Sequence, residues 1–289
     1  MSTWRPGDRV VAEPAGWMGL LRAAAKAAAI LAVTCAGLAV LVILRLAERP
    51  AFGTARPLTP WITRAVCRID LAIIGLRLTV RGRPMEGDGA LVANHASWLD
   101  ILVLNACDRV WFVAKAEVSR WPLVGWLARA TGTVFIARDP RQARVQQALF
   151  EERLRLGHRL LFFPEGTSTD GLRVLPFKPT LFAAFCAHGP DRPLHIQPVT
   201  AIYRAPGGAD PRVYGWWGGM EFVPHLLLVL ALRRQGHVEV VFHPPVPVHL
   251  FPDRKALAAE CERTVRGGLD AVLAEGQGAA PGAPDDASG

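Results

Sequence analysis

The chain has 289 residues, of which 51% are hydrophobic and 20% are charged, and its net charge is +8. This composition excludes a wholly disordered protein, a collagen-like fibre and a disulfide scaffold, and the length suits one large α/β domain with an added segment. Residues 1–83 hold twelve Lys/Arg and four acids, so the entire excess of +8 lies there. Such placement, beside the most apolar part of the chain, favours membrane lipids as partners; no recognised nucleic-acid motif accompanies the charge.

An uncharged apolar stretch runs from residue 27 to residue 44, between Lys26 and Arg45. As an α-helix it would reach about 27 Å, slightly less than the ~30 Å hydrocarbon core of a bilayer. The stretch therefore predicts a helix that spans a membrane or is embedded in it. A secretory signal and a buried core helix are the alternatives, but 26 residues precede the stretch and it lacks a convincing cleavage site.

A second, weaker apolar segment covers residues 61–76, with apolar side chains at helical spacing and arginines between them. This pattern predicts an amphipathic helix in the membrane interface, where the arginines extend toward the headgroups. On this basis residues 1–83 are predicted to form an N-terminal membrane anchor.

Beyond residue 83, short apolar runs alternate with helical patterns. Helices are predicted at residues 142–156 and 254–274, the second with Asp253 as its N-cap. Strands are predicted at residues 91–93, 110–113, 133–136, 160–163, 196–203 and 238–242. This alternation predicts an α/β sandwich with a mainly parallel or mixed sheet over residues 84–275. The Gly-, Ala- and Pro-rich tail, residues 276–289, is predicted to be disordered.

The five cysteines are widely spaced and form no C-x-x-C pair. Their number and spacing indicate neither a disulfide framework nor a zinc site. They favour a reducing, cytosolic compartment.

A histidine and an aspartate follow the predicted strand at residues 91–93, in the block N-H-A-S-W-L-D. A carboxylate beside an imidazole fixes its tautomer and stabilises its protonated form, which makes a general base that works near neutral pH. Residues five apart do not share a helix face, so we expect His95 in the strand-to-helix turn and Asp100 in the first turns of the next helix. A purely structural hydrogen bond is the alternative that this block alone leaves open.

Two further blocks place polar residues at the ends of predicted strands. F-P-E-G-T-S-T-D-G, residues 163–171, offers carboxylate, N–H and hydroxyl groups, and G-T-V-F-I-A-R ends in Arg138, which suits bidentate phosphate binding. Lys115 would add a second cation at the same sheet edge. Ligands of open α/β sheets bind outside the carboxyl ends of strands, so these blocks predict a polar headgroup site. An ordinary turn and a surface ion pair of Arg138 are the alternatives.

The blocks N-H-x-S-x-x-D, G-x-x-F-I-x-R, F-P-E-G-T and a later apolar-x-P-V strand occur together over about residues 83–242. In this order and spacing they resemble the 1-acylglycerol-3-phosphate (PlsC-like) acyltransferase family. The resemblance implies the αβ sandwich of the glycerolipid acyltransferases, behind membrane-associated helices, and acyl transfer from a thioester to a lysolipid hydroxyl. It also implies that His95 is the catalytic base and that Asp100 orients it.

The resemblance further implies how substrates are held and where the enzyme acts. Acyl-CoA or acyl carrier protein would be the donor, with neither a metal nor another cofactor, and the catalytic domain would face the cytosol at the inner membrane. The residues implied to hold the acceptor's polar headgroup are Lys115, Arg138, Glu165, Gly166 and Thr167.

The sequence departs from the family pattern directly after the F-P-E-G-T block. Members that act on lysophosphatidic acid commonly have an arginine there, whereas this chain has Ser168. The run through L-P-F-K and the later segment at residues 216–225 look more like the lyso-ornithine lipid acyltransferase branch. That acceptor has a zwitterionic headgroup, which Asp170 could suit. Both acceptors stay open at this point.

Two hypotheses of other classes compete with the acyltransferase. A lipid-binding protein without catalysis would associate with membranes in the same way, but it leaves the pairing of His95 with Asp100 unexplained. A phospholipase that uses Ser97 as nucleophile lacks the G-x-S-x-G elbow, and the family resemblance makes Ser97 structural.

Overall fold

The computed structural model describes residues 16–121, 123–136, 143–186 and 193–278. Its helices are α1 Trp17–Phe52, α2 Thr59–Ile74, α3 Leu99–Cys107, α4 Val124–Thr131, α5 Ala143–Arg155, α6 Ala183–Cys186, α7 Phe222–Ala231 and α8 Arg254–Gly278. Its strands are β1 Arg77–Arg81, β2 Gly89–Ala93, β3 Trp111–Lys115, β4 Val134–Ile136, β5 Leu160–Phe162, β6 His195–Arg204, β7 His237–Phe242 and β8 Val246–Pro247.

The described strands form one mixed sheet of eight, in the order β1-β7-β6-β2-β5-β3-β4, with β8 paired to β6. Strands β6, β2, β5, β3 and β4 are mutually parallel, whereas β7 and β8 run antiparallel to β6. The carboxyl ends of the five parallel strands therefore meet at one end of the sheet. The predicted α/β sandwich with a mixed sheet is confirmed.

The six predicted strands correspond to β2 through β7, and two strands lie outside the prediction. β1 carries an arginine at each end and β8 has two residues, so neither shows the apolar run that marked the others. β1 pairs in parallel with β7. The sheet thus takes in residues 77–81, ahead of the predicted boundary between residues 83 and 84.

Helix α1 is longer than the apolar stretch that predicted it, because the Ala- and Leu-rich turns around that stretch also favour helix. Within the described residues it is the one helix that is long and apolar enough to cross a membrane, judged by length and composition alone. One side of α1 exposes large apolar side chains, among them Leu31, Ile43 and Leu46.

Polar contacts join α1 to α2 along most of their length. Lys26 donates from Nζ to the carbonyl of Ile74 at 2.7 Å, and the hydroxyl of Thr34 lies 3.3 Å from Oδ2 of Asp70. At the other end, the carboxylate of Glu48 accepts two N–H groups at the start of α2, at 2.6 and 3.2 Å, and so caps that helix. The two helices therefore form an antiparallel hairpin.

Two arginines of α2 attach this hairpin to the domain. Arg64 and Arg68 donate from Nε to the carbonyl of Ala106, at 3.3 and 2.9 Å. That carbonyl belongs to the last turn of α3, where carbonyl groups lack intrahelical partners and attract cations. The arginines were expected to extend toward lipid headgroups, but these two guanidinium groups turn toward α3 and bond to its carbonyl.

Helices cover both faces of the sheet. α1, α2, α3 and α7 pack on one face and α5, α6 and α8 on the other. α8 begins directly after Asp253, whose carboxylate accepts the N–H groups of residues 255 and 256 at 2.7 and 2.8 Å, as an N-cap does. α8 continues to Gly278, so it includes the first residues of the predicted disordered tail; the rest of that tail lies outside the described residues.

Candidate active site

The turn between β2 and α3 carries the predicted histidine and aspartate. Its start is fixed by Asn94, whose side chain exchanges two hydrogen bonds with the backbone of Ala201 in β6, at 2.9 and 2.8 Å. His95 follows in the turn, and Asp100 lies in the first turn of α3. Their Nδ1 and Oδ2 atoms are 2.7 Å apart. The structure thus brings the two side chains together in the arrangement that their spacing requires.

The carboxylate of Asp100 is completely buried, yet both of its oxygens are hydrogen-bonded. Besides the imidazole, Oδ2 accepts the N–H groups of Ala96 and Ser97 at 2.8 and 3.0 Å. Oδ1 accepts the hydroxyl of Tyr203 at 2.6 Å. These donors compensate for the burial of a negative charge. An ionised carboxylate only accepts, so Nδ1 of His95 carries its proton there and Nε2 is left to accept another.

Phe163 sets the plane of the imidazole. The two rings stack with their centroids 4.1 Å apart and their planes 12° from parallel. The side chain of His95 is 21% exposed, whereas that of Asp100 has no exposure. The pair therefore reaches the outside through the imidazole alone. Sequence reasoning included Phe163 in a motif without assigning it this contact.

Glu165 lies beneath the turn, with only 1% of its surface exposed. Its Oε1 accepts the N–H of His95, and its Oε2 accepts the N–H of Leu175, both at 2.7 Å. Because both oxygens accept backbone N–H groups, this carboxylate supports the turn that carries the histidine. Its contact with the acceptor headgroup stays a prediction. Burial raises the pKa of Glu165 to about 8, although the two N–H donors lower it.

The rest of the loop after β5 wraps around the same turn. Thr169 donates its N–H to the carbonyl of His95 at 2.8 Å, and Thr167 is half-buried nearby. The hydroxyl of Ser168 donates to the carbonyl of Trp216, whose own N–H donates to the carbonyl of Ala96 at 2.8 Å. The segment that starts at residue 216 therefore forms part of the wall behind the turn.

Asp170 faces inward and is 2% exposed. Its Oδ2 pairs with Arg173 at 2.9 Å, and its Oδ1 accepts the N–H of Leu172 at 3.1 Å. Both oxygens of this carboxylate are thus bonded to residues of its own loop. The suggestion that Asp170 suits the ammonium group of a zwitterionic acceptor is corrected accordingly.

Two lysines converge on Gly166. Lys115, the last residue of β3, donates from Nζ to the carbonyl of Gly166 at 2.7 Å. Nζ of Lys178 lies 2.7 Å from the position that a Cβ on Gly166 would occupy, and the φ of this glycine is +73°, where L side chains are strained. Lys178 was not among the predicted site residues, although the L-P-F-K run contained it. Arg138 lies outside the described residues.

Ser97 has no exposed surface, and its Oγ finds no hydrogen-bond partner among the described residues. A hydroxyl in this position is out of reach of a substrate. Its placement supports a structural role and weakens the phospholipase hypothesis.

Comparison with known proteins relates this geometry to a family. The acyltransferase family profile matches residues 77–202. A lyso-ornithine lipid O-acyltransferase of Rhodobacter capsulatus is 60% identical over 264 residues, which cover 91% of this chain and 94% of that protein. Another, of Brucella abortus, is 41% identical over 220 residues, which cover 71% and 80%.

A solved structure shares the fold. The crystal structure of the 1-acyl-sn-glycerophosphate acyltransferase PlsC from Thermotoga maritima matches with a TM-score of 0.54 and 20% identity, covering 86% of this chain and 98% of that one. At this identity the likeness concerns the fold alone.

The buried carboxyl of Glu165 predicts a pH-dependent term in stability. Its pKa of about 8 in the folded chain lies above the ordinary 4.5, so the folded state holds this proton longer and loses stability as pH rises between those values. One such group contributes at most about 1.4 kcal/mol per pH unit. We expect Glu165→Gln to flatten the fall in unfolding free energy between about pH 5 and pH 8, measured by denaturant unfolding in detergent micelles. The exposed Glu86→Gln should keep the wild-type slope, and equal slopes in all three proteins would contradict the prediction.

Proposed function

Because the chain belongs to the PlsC-like lysophospholipid acyltransferase family and is an acyltransferase, we propose that it moves an acyl chain from a thioester to a lysolipid hydroxyl with His95 as general base. The observation that carries this proposal is the 2.7 Å contact between Nδ1 of His95 and the buried Oδ2 of Asp100. The exposed edge of the imidazole, with Nε2 as proton acceptor, is where the hydroxyl would bind. The competing hypothesis of a lipid-binding protein without catalysis is set aside, because the chain is an acyltransferase.

An alcohol attacks a thioester well only if its proton leaves as the new bond forms. Nε2 of His95 takes that proton while the hydroxyl oxygen bonds to the carbonyl carbon. The C–S bond then breaks, and the departing thiolate takes the proton back from the imidazolium. Asp100 stabilises the imidazolium between these two steps. Acyl-CoA or acyl carrier protein supplies the thioester, and the reaction balances without another cofactor.

The acceptor that we propose is a lyso-ornithine lipid. The relatives at 60% and 41% identity are lyso-ornithine lipid O-acyltransferases. An ornithine that is linked to lipid through its α-amino group keeps a free carboxylate. The ammonium groups of Lys115 and Lys178, which meet at Gly166, fit such an anion. Lysophosphatidate is the second candidate, since a phosphate would suit the same cations.

For the membrane, we propose that α1 lies along the bilayer surface and does not cross it. Asp70 of α2 sits beside Thr34, near the middle of the apolar stretch at residues 27–44, and Arg64 and Arg68 tie α2 to α3. If α1 crossed a bilayer in this packing, these charged residues would enter the hydrocarbon at a cost of a few kcal/mol each. The exposed apolar side of α1 can embed laterally instead.

This arrangement would hold the catalytic domain at the cytosolic face of the inner membrane. The cytosol contains both candidate acyl donors, acyl-CoA and acyl carrier protein. The five cysteines of the described residues are all free, which fits a reducing compartment.

Loss of the base should lower the turnover rate strongly. We expect His95→Ala to lower kcat by about 10²- to 10⁴-fold in folded, purified protein, because a positioned general base contributes a factor of that size. Thiol release is measured with acyl-CoA and acyl carrier protein donors against lyso-ornithine lipid and lysophosphatidate. The exposed His249→Ala is the matched control. Undiminished turnover in His95→Ala contradicts the base, and a preference for lysophosphatidate contradicts the acceptor.

Removing one of the two cations should weaken acceptor binding. We expect Lys178→Gln to raise KM for lyso-ornithine lipid about tenfold, the size of one hydrogen bond to a charged group, and to leave KM for the donor unchanged. Lys255→Gln, on the exposed start of α8, should match wild type. An acceptor whose carboxylate is capped as an amide should show the same KM with wild type and Lys178→Gln. If Lys178→Gln raised KM equally for the acceptor with a free carboxylate and for the amide-capped acceptor, a contact between Lys178 and the carboxylate would be contradicted.

The orientation of α1 can be tested by accessibility. The exposed Cys35 and the partly exposed Cys186 are replaced by serine, which leaves buried native cysteines. One accessible cysteine at a time is then added, before α1 by Gly16→Cys, near the end of α1 by Arg49→Cys, or on the domain by Lys255→Cys. In sealed vesicles of known orientation, we expect a membrane-impermeant maleimide to label all three from the same side, because both ends of a helix that lies along the bilayer surface stay on that side. Labelling of the first two from opposite sides would mean that α1 spans the bilayer.

A further inference from the structure

The end of β6 lies beside the turn that carries the histidine and the aspartate. Val199 of β6 pairs with Ala93, the last residue of β2, and β6 runs on past it. Because strand side chains alternate, Tyr203 lies on the same face of the sheet as Val199, the face against which α3 packs. The strand therefore carries a phenol to the first turn of α3, although Tyr203 and Asp100 are 103 positions apart in sequence.

The phenol completes the set of donors around Asp100. Its hydroxyl donates to Oδ1 at 2.6 Å, while Oδ2 faces His95. Tyr203 itself is only 4% exposed, so water does not replace this bond. Three donors hold Oδ2, namely the imidazole and the N–H groups of Ala96 and Ser97. The phenol is the donor that the described residues supply to Oδ1, so it fixes the second oxygen and draws negative charge away from the side that faces His95.

We propose that Tyr203 is a positioning residue for acyl transfer, whose O–H bonds to Oδ1 of Asp100 and keeps this carboxylate set with Oδ2 toward His95. This inference rests on the proposed role of His95 as base. It concerns a residue just beyond the acyltransferase match, which ends at residue 202. Burial and the neighbouring carboxylate raise the pKa of Tyr203 well above its ordinary value, so the phenol stays a donor.

Loss of this hydroxyl has a defined electrostatic consequence. Oδ1 would become a buried acceptor without a donor, and more of the negative charge would act on the imidazole through Oδ2. The protonated imidazole would then be favoured, so the base would become available only at higher pH. The change leaves in place the other titratable groups that the described residues bring near this cluster: Glu165 on the backbone of His95, Cys107 of α3, Lys115 and Lys178 at Gly166, and His225 of α7, which accepts the indole N–H of Trp98.

The chain supplies a matched control. Tyr214 is its only other tyrosine, and the two rings pack with centroids 5.8 Å apart. Tyr214 is fully buried, and its hydroxyl donates to Oε1 of Gln235 at 2.8 Å and accepts the N–H of Gly236 at 2.7 Å. Tyr214→Phe therefore also deletes a buried, hydrogen-bonded hydroxyl in the same cluster, but one that does not touch Asp100.

The test compares pH–rate profiles of the full-length enzyme with lyso-ornithine lipid as acceptor. The acid limb of such a profile is the range in which the rate rises with pH. We expect Tyr203→Phe to lower kcat about tenfold and to move this acid limb to higher pH by about half a unit or more. Tyr214→Phe should leave the acid limb at the wild-type pH, even if its melting temperature falls. The proposal is overturned if the acid limb of Tyr203→Phe stays at the wild-type pH, or if Tyr203→Phe and Tyr214→Phe shift it equally.

A second measurement does not depend on the folding of Tyr203→Phe. In the Tyr214→Phe chain, 3-fluorotyrosine enters at position 203 alone and makes the phenol a stronger donor with little change in size. We expect the acid limb to move to lower pH than in the same chain with ordinary tyrosine, and an unmoved limb overturns the proposal.

His95→Ala separates the two hypotheses. If that variant keeps its activity, the general-base proposal is wrong, and the positioning role of Tyr203, which depends on it, is wrong as well. If His95→Ala is inactive, but neither phenylalanine nor 3-fluorotyrosine at position 203 moves the acid limb, only the positioning role of Tyr203 is wrong.

Discussion

The arrangement of the active site depends on one buried negative charge, the carboxylate of Asp100. A charge in that position is tolerable only if donors surround it, and here they come from the imidazole, two backbone N–H groups of the turn and the phenol of Tyr203. Satisfying this carboxylate fixes the bend of the turn, the direction of the imidazole and the distance between α3 and β6 at once. In the proposed mechanism, the same bonds that compensate for this burial also leave Nε2 of His95 as the proton acceptor.

The contacts around the histidine separate into an inner and an outer set. In the inner set, Glu165 and Phe163 contact the backbone and the ring of His95, and Asn94 joins the start of the turn to β6. The outer set consists of the exposed imidazole edge and the lysines at Gly166. This separation suits acyl transfer between two lipid-bearing substrates, because the base must stay still while large molecules enter and leave.

The hairpin of α1 and α2, like the site, keeps its polar contacts on the inside. Its polar contacts face inward, through Glu48, Asp70 and the arginines that bind α3, and its large apolar side chains face outward. Since α2 ends at Ile74 and β1, a strand of the sheet, begins at Arg77, the exposed apolar surface of the hairpin is joined to the sheet through a short connection. A lysolipid could thus reach the base without leaving the vicinity of the bilayer.

The sequence by itself determined the features that depend on a few neighbouring residues: strands β2 to β7, the N-cap at Asp253, and the meeting of His95 with Asp100 across five positions. Periodic burial and turn chemistry are local, so they can be read along the chain. The tertiary structure alone decided that Glu165 faces inward, that β1 joins the sheet and that Tyr203 reaches Asp100. Those contacts join residues 70 to 160 positions apart, and they follow from strand order and helix packing, which no local pattern contains.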